Sequence, residues 1–495
     1  MEFMPQSQLP PQQVDRISLF NQIRQLREKT SKLTMIIVML ILVMLLVLAG
    51  FTTYSHYLRS SNPITNLPFD VPNDIVSKPF LSSNKVENRL IDNKLAASYS
   101  IAQIDKISAN LYPSYSIQSA KYAEDEYTIH FLSTDEKGQS LTIKAQVFVP
   151  KGSPSQKFPL FVFGQGTTGI GDQCAPSLER PEVSNWGNYY NHLRTYAGQG
   201  YITVFPDYEG FNDDKRVHHY FNALLEAHVL LDATRATFEF LPDSSQQAAF
   251  YAGYSQGGHA AYAVKDYQPS YAPDVPIKGV IGFGATTDIV NLLKENADLA
   301  PYLFYSYRDF YGRDTVNVAD LMQSNWLATF DKDVLGKCVS AVPGYYTKSG
   351  TRVYSTKFYD ALYNNHLDRD FPELLKLFKE NSSGLKSSKI PGLLIQGDPD
   401  PIVTVKSQEE FVRAACAPGN VITYNRYNGV HHFQTRHVSF KDVTTWMQSI
   451  LAGNQVNSVC DNLGDLNKFK TNTTPADSAP ASDEVVAPPG GAGGG

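Results

Sequence analysis

Ala249-Phe250-Tyr251-Ala252-Gly253-Tyr254-Ser255-Gln256-Gly257-Gly258-His259-Ala260-Ala261 is the stretch that decides how the chain folds. An apolar run of strand type enters a Gly-x-Ser-x-Gly turn and leaves as small, helix-compatible residues, which is the setting of a nucleophile elbow. Such a turn strains the serine backbone, so Gly253 and Gly257 stand where a Cβ would strike the neighbouring strand and helix. The Ser255 hydroxyl then projects above the sheet, beside a helix N-terminus that favours negative charge. An ordinary Gly-rich turn is the competing reading, and the strand before and helix after argue against it.

Working outward, short apolar runs rich in β-branched and aromatic residues recur at 158–163, 201–206, 249–253, 277–283, 392–396 and 421–427. Each pair is separated by enough chain for a crossover helix, which predicts an α/β fold with a mostly parallel sheet flanked by helices. Ahead of them, 127–133 and 141–150 read as a hairpin joined by Asp135-Glu136-Lys137-Gly138. The gap from 289 to about 389 is far too long for a loop and carries helical patterns such as Leu374-Leu375-Lys376-Leu377-Phe378. It is read as a helical lid or cap inserted over the strand ends. Its aromatics, Tyr302, Phe304, Tyr305, Tyr307, Phe310 and Tyr311, suit either an acyl pocket or simple helix packing.

A serine hydroxyl attacks only when a base takes its proton and a carboxylate orients that base. On this architecture the chain order is Ser, acid, His. The run 392–396 leads into Gly397-Asp398-Pro399-Asp400, where Asp400 is preferred as the acid. Asp398 is the alternative, or a turn-capping aspartate, and Asp288 is a weaker candidate. The run 421–427 leads into Asn428-Gly429-Val430-His431-His432-Phe433. His432 is preferred as the base over His431, and His437 falls in the following helical run. His218 and His219 precede the elbow and read as structural or substrate-channel residues. The backbone N–H of Gln256 supplies one oxyanion donor, and the loop Gly164-Gln165-Gly166-Thr167-Thr168-Gly169 supplies the second, Thr167 ahead of Thr168. No phosphate loop, Cys-x-x-Cys or His-Glu-x-x-His is present, so no cofactor or metal is expected.

The 495 residues carry 43 basic and 49 acidic side chains, a net −6 that argues against a nucleic-acid binder. With 42% hydrophobic and 19% charged residues, the chain is globular with a sizeable core. No charge interrupts the sequence between Lys32 and Arg59, so residues 34–54 read as a transmembrane signal anchor. Arg16, Arg24, Arg27, Lys29 and Lys32 precede it, which leaves residues 1–33 cytoplasmic and exports everything beyond. The small residues near Ala49-Gly50 keep a cleaved signal peptide as the alternative. Ile17, Leu19, Phe20, Ile23 and Leu26 form an amphipathic stripe, suited to self-association or to the membrane surface. Residues 55–94 read as a tether, 95–466 as the folded domain and 467–495 as a disordered tail.

Several further stretches are familiar together: Gly166-Thr167-Thr168-Gly169, Asp172-Gln173-Cys174-Ala175-Pro176-Ser177, Phe205-Pro206-Asp207-Tyr208-Glu209-Gly210, Leu231-Asp232-Ala233-Thr234-Arg235-Ala236 and Tyr271-Ala272-Pro273. With the elbow, they resemble the secretory lipase family of fungal and bacterial α/β-hydrolases over roughly 95–460. The resemblance implies an α/β-hydrolase fold with a helical lid, an esterase or lipase activity on small-molecule or lipid acyl esters, and Ser255, Asp400 and His432 as a triad. Gln165 departs from the His that often precedes Gly-Thr-Thr-Gly in relatives. The resemblance also favours Cys174–Cys338 and Cys416–Cys460 among the three pairings that four cysteines allow, in the oxidising compartment that export implies. Three other activities share these features: an acyltransferase with an alcohol in place of water, a peptidase, and an anchored binding protein with a vestigial elbow.

Overall fold

In the computed structural model, which describes residues 88–471 apart from 114, 116 and 181–184, ten strands form one sheet in the order β1-β2-β3-β5-β4-β6-β7-β8-β9-β10. The strands are Leu90–Tyr99 (β1), Glu124–Thr134 (β2), Ser140–Pro150 (β3), Phe158–Gly164 (β4), Ile202–Pro206 (β5), Ser245–Tyr254 (β6), Ile277–Phe283 (β7), Gly392–Gly397 (β8), Ile422–Tyr427 (β9) and Lys470–Thr471 (β10). Neighbours from β1 through β3 to β5 run antiparallel, and those from β5 onward run parallel. The parallel half reads as continuous apolar sequence because helices cover both of its faces. Leu160 and Val162 of β4 enter one core with the helices Ala223–Phe240 and Gln256–Tyr271. Phe161 and Phe163 enter the opposite core with Tyr189–Gly198 and Phe440–Leu451. Period-two alternation therefore survives in three dimensions although every residue of β4 is buried.

One strand begins inside the stretch read from the sequence as tether, and another lies in the stretch read as tail. β1 starts at Leu90 and pairs with β2, but most of its residues are exposed, so it carries no apolar alternation to read. β10 is only two residues long, paired through Lys470 with Arg426. The expected cytoplasmic segment 1–33, the anchor at 34–54, the tether up to 87 and the tail beyond 471 lie outside the described residues. Among the described residues no helix is long and apolar enough to cross a membrane.

Between β7 and β8 the chain is helical, with one isolated bridge between Met322 and Tyr354. This insertion has its own apolar cluster, in which Tyr302, Phe304 and Tyr307 are buried against Tyr354, Phe358 and Phe378. Those aromatics serve helix packing. Disulfides join Cys174 to Cys338, tying the loop after β4 to the insertion, and Cys416 to Cys460. Next to the first bridge, the Val339 N–H donates to the Thr168 carbonyl at 2.8 Å.

The buried His437 is expected to make this fold acid-sensitive. Burial, reinforced by the neighbouring Arg436 charge, lowers His437 to about 3, and its ring stands edge-on to Tyr112 at 5.2 Å. Its folded value lies below the unfolded one near 6.5, so its contribution is complete above that pH and is lost as pH falls towards 3. We therefore expect His437→Gln to lose less stability than the parent on acidification. Urea unfolding at pH 7, 6, 5 and 4 should show the gap between the two closing by about 1.4 kcal/mol per pH unit below about 6.5. Parallel pH profiles would show that His437 does not titrate on unfolding.

Candidate active site

Three elements meet at the carboxyl edge of the sheet, where the strand order reverses around β4 and β6. β6 delivers Ser255 at φ 55° and ψ −113°, a backbone region that side chains other than glycine rarely adopt. The strain is held by neighbours: the Ser255 N–H donates to the Phe283 carbonyl at 3.0 Å, while its carbonyl accepts from Gly258 and Thr286. A Cβ on Gly253 would stand 1.9 Å from the Gly257 carbonyl oxygen, and one on Gly257 would stand 1.9 Å from that of Gly164. Backbone therefore packs directly on backbone, as the sequence reading required.

β8 and β9 deliver the charged partners. Asp400 Oδ1 accepts from the N–H groups of Ile402 and Val403, each at 2.9 Å, which fixes the carboxylate. Its Oδ2 lies 2.7 Å from His432 Nδ1. His432 is 2% exposed, and its Nε2 is buried without a hydrogen-bond partner among the described residues. The Tyr254 ring packs 4.8 Å from the imidazole. Gly284, at φ 52°, leaves room for the pair: a Cβ there would come within 2.8 Å of His432 Nδ1.

The competing candidates are engaged elsewhere. Asp398 pairs with Arg426 at 3.0 Å. Asp288 caps the helix Ile289–Glu295 by accepting from the Asn291 N–H at 2.7 Å. His431 is exposed and caps the short turn His432–Gln434, with its Nδ1 3.2 Å from the Pro399 carbonyl. His437 is in the core. His219 lies between Glu209 and Asp309, and His218 stacks on Tyr208 and Phe211, each at 5.0 Å. Burial opposes charge on Glu209 and His219, but their pairing outweighs it, drawing Glu209 down to about 2 and His219 up to about 9.

On the oxyanion side, Gln256 is the first residue of the elbow helix, where a backbone N–H has no intrahelical partner. Thr167 sits in the facing loop with its hydroxyl 2.7 Å from that of Tyr220, and the Gly166 N–H donates to Tyr189 Oη at 3.0 Å. Thr168 is buried with its carbonyl committed to Val339. Among the described residues no cluster of three His, Cys, Asp or Glu is arranged to hold a metal ion.

Three residues here escaped the sequence reading. Gly284 acts through a contact with residues far along the chain, which no local pattern records. Glu226 and His259 lie behind Gln256, and the one available signal was an acid inside the apolar run Ala223-Leu224-Leu225-Glu226-Ala227.

The sheet order, the strained serine after β6 and the acid and histidine after β8 and β9 define an α/β-hydrolase fold. Solved structures agree at the level of fold. The Xanthomonas oryzae rice cell wall degrading esterase LipA superposes with a TM-score of 0.59 at 17% identity, over 77% of this chain and 99% of that one. Candida antarctica lipase A in its closed state gives 0.57 at 18% identity, over 80% of this chain and 88% of that one. The secretory lipase family model matches residues 192–458, more than half of the chain, and the protein belongs to that family. A secreted triacylglycerol lipase of Malassezia furfur is 24% identical over 358 residues, 69% of this chain and 65% of the relative, so the match spans less than two thirds of that relative's length.

The tight fit around Gly284 is open to test. Gly284→Ala should push His432 away from Asp400 and slow fluorophosphonate labelling of Ser255 by about 10²-fold, as expected for a displacement near 1 Å. Labelling at the parental rate would show that the loop yields and the imidazole does not.

Proposed function

We propose that the protein is a serine carboxylic-ester hydrolase, a lipase or esterase working through Ser255, His432 and Asp400. The observation that carries this reading is the His432 ring, which follows β9 as the strained serine follows β6: one nitrogen is fixed by Asp400, and the other is buried without a hydrogen-bond partner among the described residues. Membership of the secretory lipase family supports the same chemistry.

In this reading His432 Nε2 takes the Ser255 Oγ proton as the oxygen attacks the ester carbonyl. The imidazolium that forms is stabilised by the Asp400 carboxylate, whose other oxygen is saturated by backbone donors. The N–H groups of Gln256 and Thr167 receive the tetrahedral oxyanion. Collapse expels the alcohol, which takes the proton from His432 Nε2 and leaves an acyl group on Ser255. Water then gives a proton to the same nitrogen and attacks the acyl carbon, and collapse releases the acid as His432 Nε2 returns that proton to Ser255 Oγ.

Ser255 is only 9% exposed, at the base of the site rather than on the surface. The helical insertion, about 289–389, is read as its lid, tied to the loop after β4 by the Cys174–Cys338 bridge. Residues 34–54 anchor the chain in the membrane with residues 1–33 cytoplasmic, so that the domain 95–466 meets its substrate outside. The family's secreted relative supports that exported placement.

The test uses p-nitrophenyl esters from acetate to palmitate together with a fluorophosphonate label. Ser255→Ala should abolish labelling and lower kcat by at least about 10⁴-fold, and Asp400→Asn should lower kcat by about 10³–10⁴-fold. Labelling of Ser255 without turnover would point to an acyltransferase that lacks its acceptor. A folded protein with neither signal would overturn the enzyme reading in favour of a binding protein.

A further inference from the structure

Directly behind the elbow lies a buried polar chain that the proposed mechanism does not use. Glu226, in the first turn of the helix Ala223–Phe240, is 1% exposed among apolar neighbours. A carboxylate so placed is costly unless its oxygens are hydrogen-bonded. Both are. Oε1 accepts from Gln256 Nε2 at 2.8 Å, and Oε2 lies 2.5 Å from His259 Nδ1. His259 is fully buried, and its Nε2 donates to the Asn381 carbonyl at 2.5 Å. Because a carbonyl only accepts, that nitrogen is committed as a donor, so His259 holds no free lone pair and is not a second base. The other hydrogen of the Gln256 amide goes to His218 Nε2 at 2.7 Å, which leaves the proton of that ring on Nδ1, facing Glu209 at 3.7 Å.

We propose that Glu226 and His259 are positioning residues that lock the Gln256 side chain and thereby aim the Gln256 backbone N–H at the oxyanion. The proposal rests on the hydrolase reading, in which that N–H is a catalytic donor. Gln256 opens its helix immediately after a strained residue: the peptide that carries its N–H is held on the carbonyl side by Gly258 and Thr286, while the N–H itself lies outside the helix ladder. Turning its side chain inward and using both amide hydrogens fixes the residue at its far end as well. Glu226 takes one of those hydrogens, and His259, pinned by Asn381, keeps the carboxylate from rotating away.

The test is an exchange of partners in the full chain. Gln256→Glu sets one carboxylate against another, and Glu226→Leu removes the acceptor. Each should lower kcat for a p-nitrophenyl ester by about 10–100-fold and change KM less than about twofold, the signature of an interaction that matters in the transition state. The double variant Gln256→Glu/Glu226→Gln restores the contact with donor and acceptor reversed: the new amide donates to the new carboxylate, and its carbonyl still accepts from His259. Its kcat should return to within about threefold of the parent. Thermal melting accompanies each assay. Should Glu226→Leu fail to fold, the contrast between Gln256→Glu and the double variant decides alone.

Unchanged kcat in the single variants, a change in KM alone, or a double variant no faster than Gln256→Glu would overturn the proposal. Ser255→Ala, run in parallel, separates the two levels. Activity that survives in it defeats the hydrolase reading and the proposal together. Activity that vanishes in it, with kcat indifferent to the exchange, defeats the positioning role alone.

Discussion

Everything at this site depends on three glycines that let backbone touch backbone. Gly253 and Gly257 bring the two arms of the elbow together, and Gly257 rests against the end of β4 at Gly164. An added Cβ at Gly253 or Gly257 would overlap a carbonyl oxygen at 1.9 Å, a distance that no rotamer change relieves because the obstruction is main chain. The closeness holds the Ser255 backbone in its strained region. It also sets the spacing between the Gln256 N–H and the loop that begins at Gly164. The steric constraint thus brings Ser255, the start of the elbow helix and the loop of Thr167 together, and the strain is supported by Phe283, Gly258 and Thr286.

Around that constraint, identical side chains take different roles because their surroundings differ. Asp398 and Asp400 stand two residues apart in one loop. Asp398 faces Arg426, itself shared with Glu409, and belongs to a charge network. Asp400 faces inward, pairs with no lysine or arginine among the described residues, and is held by two backbone N–H groups and one imidazole. The adjacent histidines divide in the same way. His431 spends its side chain on capping a turn in solvent, while His432 is buried with one nitrogen fixed and the other open. A carboxylate and an imidazole that satisfy each other in the core, with one lone pair left over, are the elements of general base chemistry.

The parts of this arrangement legible in the sequence are those encoded locally. β4, β6, β7 and β8 announce themselves as continuous apolar runs because both faces are buried, and the elbow is written in four consecutive turn and helix residues after β6. The order serine, acid, histidine follows from the topology once the strands are counted. β1 was illegible because an edge strand with most residues exposed has no pattern to distinguish it from a tether. Gly284 and the Glu226–His259 pair were illegible for another reason: each acts across a gap in the chain, His259 lying 33 residues from Glu226. An acid amid leucines and alanines records that something must satisfy it, but not what.

The insertion is not free to move as a single body. Cys338 is bonded to Cys174, and the next residue, Val339, donates to Thr168, inside the loop that carries Thr167. The helix Ala300–Tyr311 is fastened to the segment ahead of Ala223–Phe240 through Ser306, which donates to the His218 carbonyl and accepts from the Tyr220 N–H. Tyr220 in turn holds the Thr167 hydroxyl. Asn381, at the far end, accepts from His259 and from the Ala223 N–H. A rigid swing of the whole insertion would therefore drag the loop of Thr167 and Thr168 and the buried chain behind Gln256 along with it.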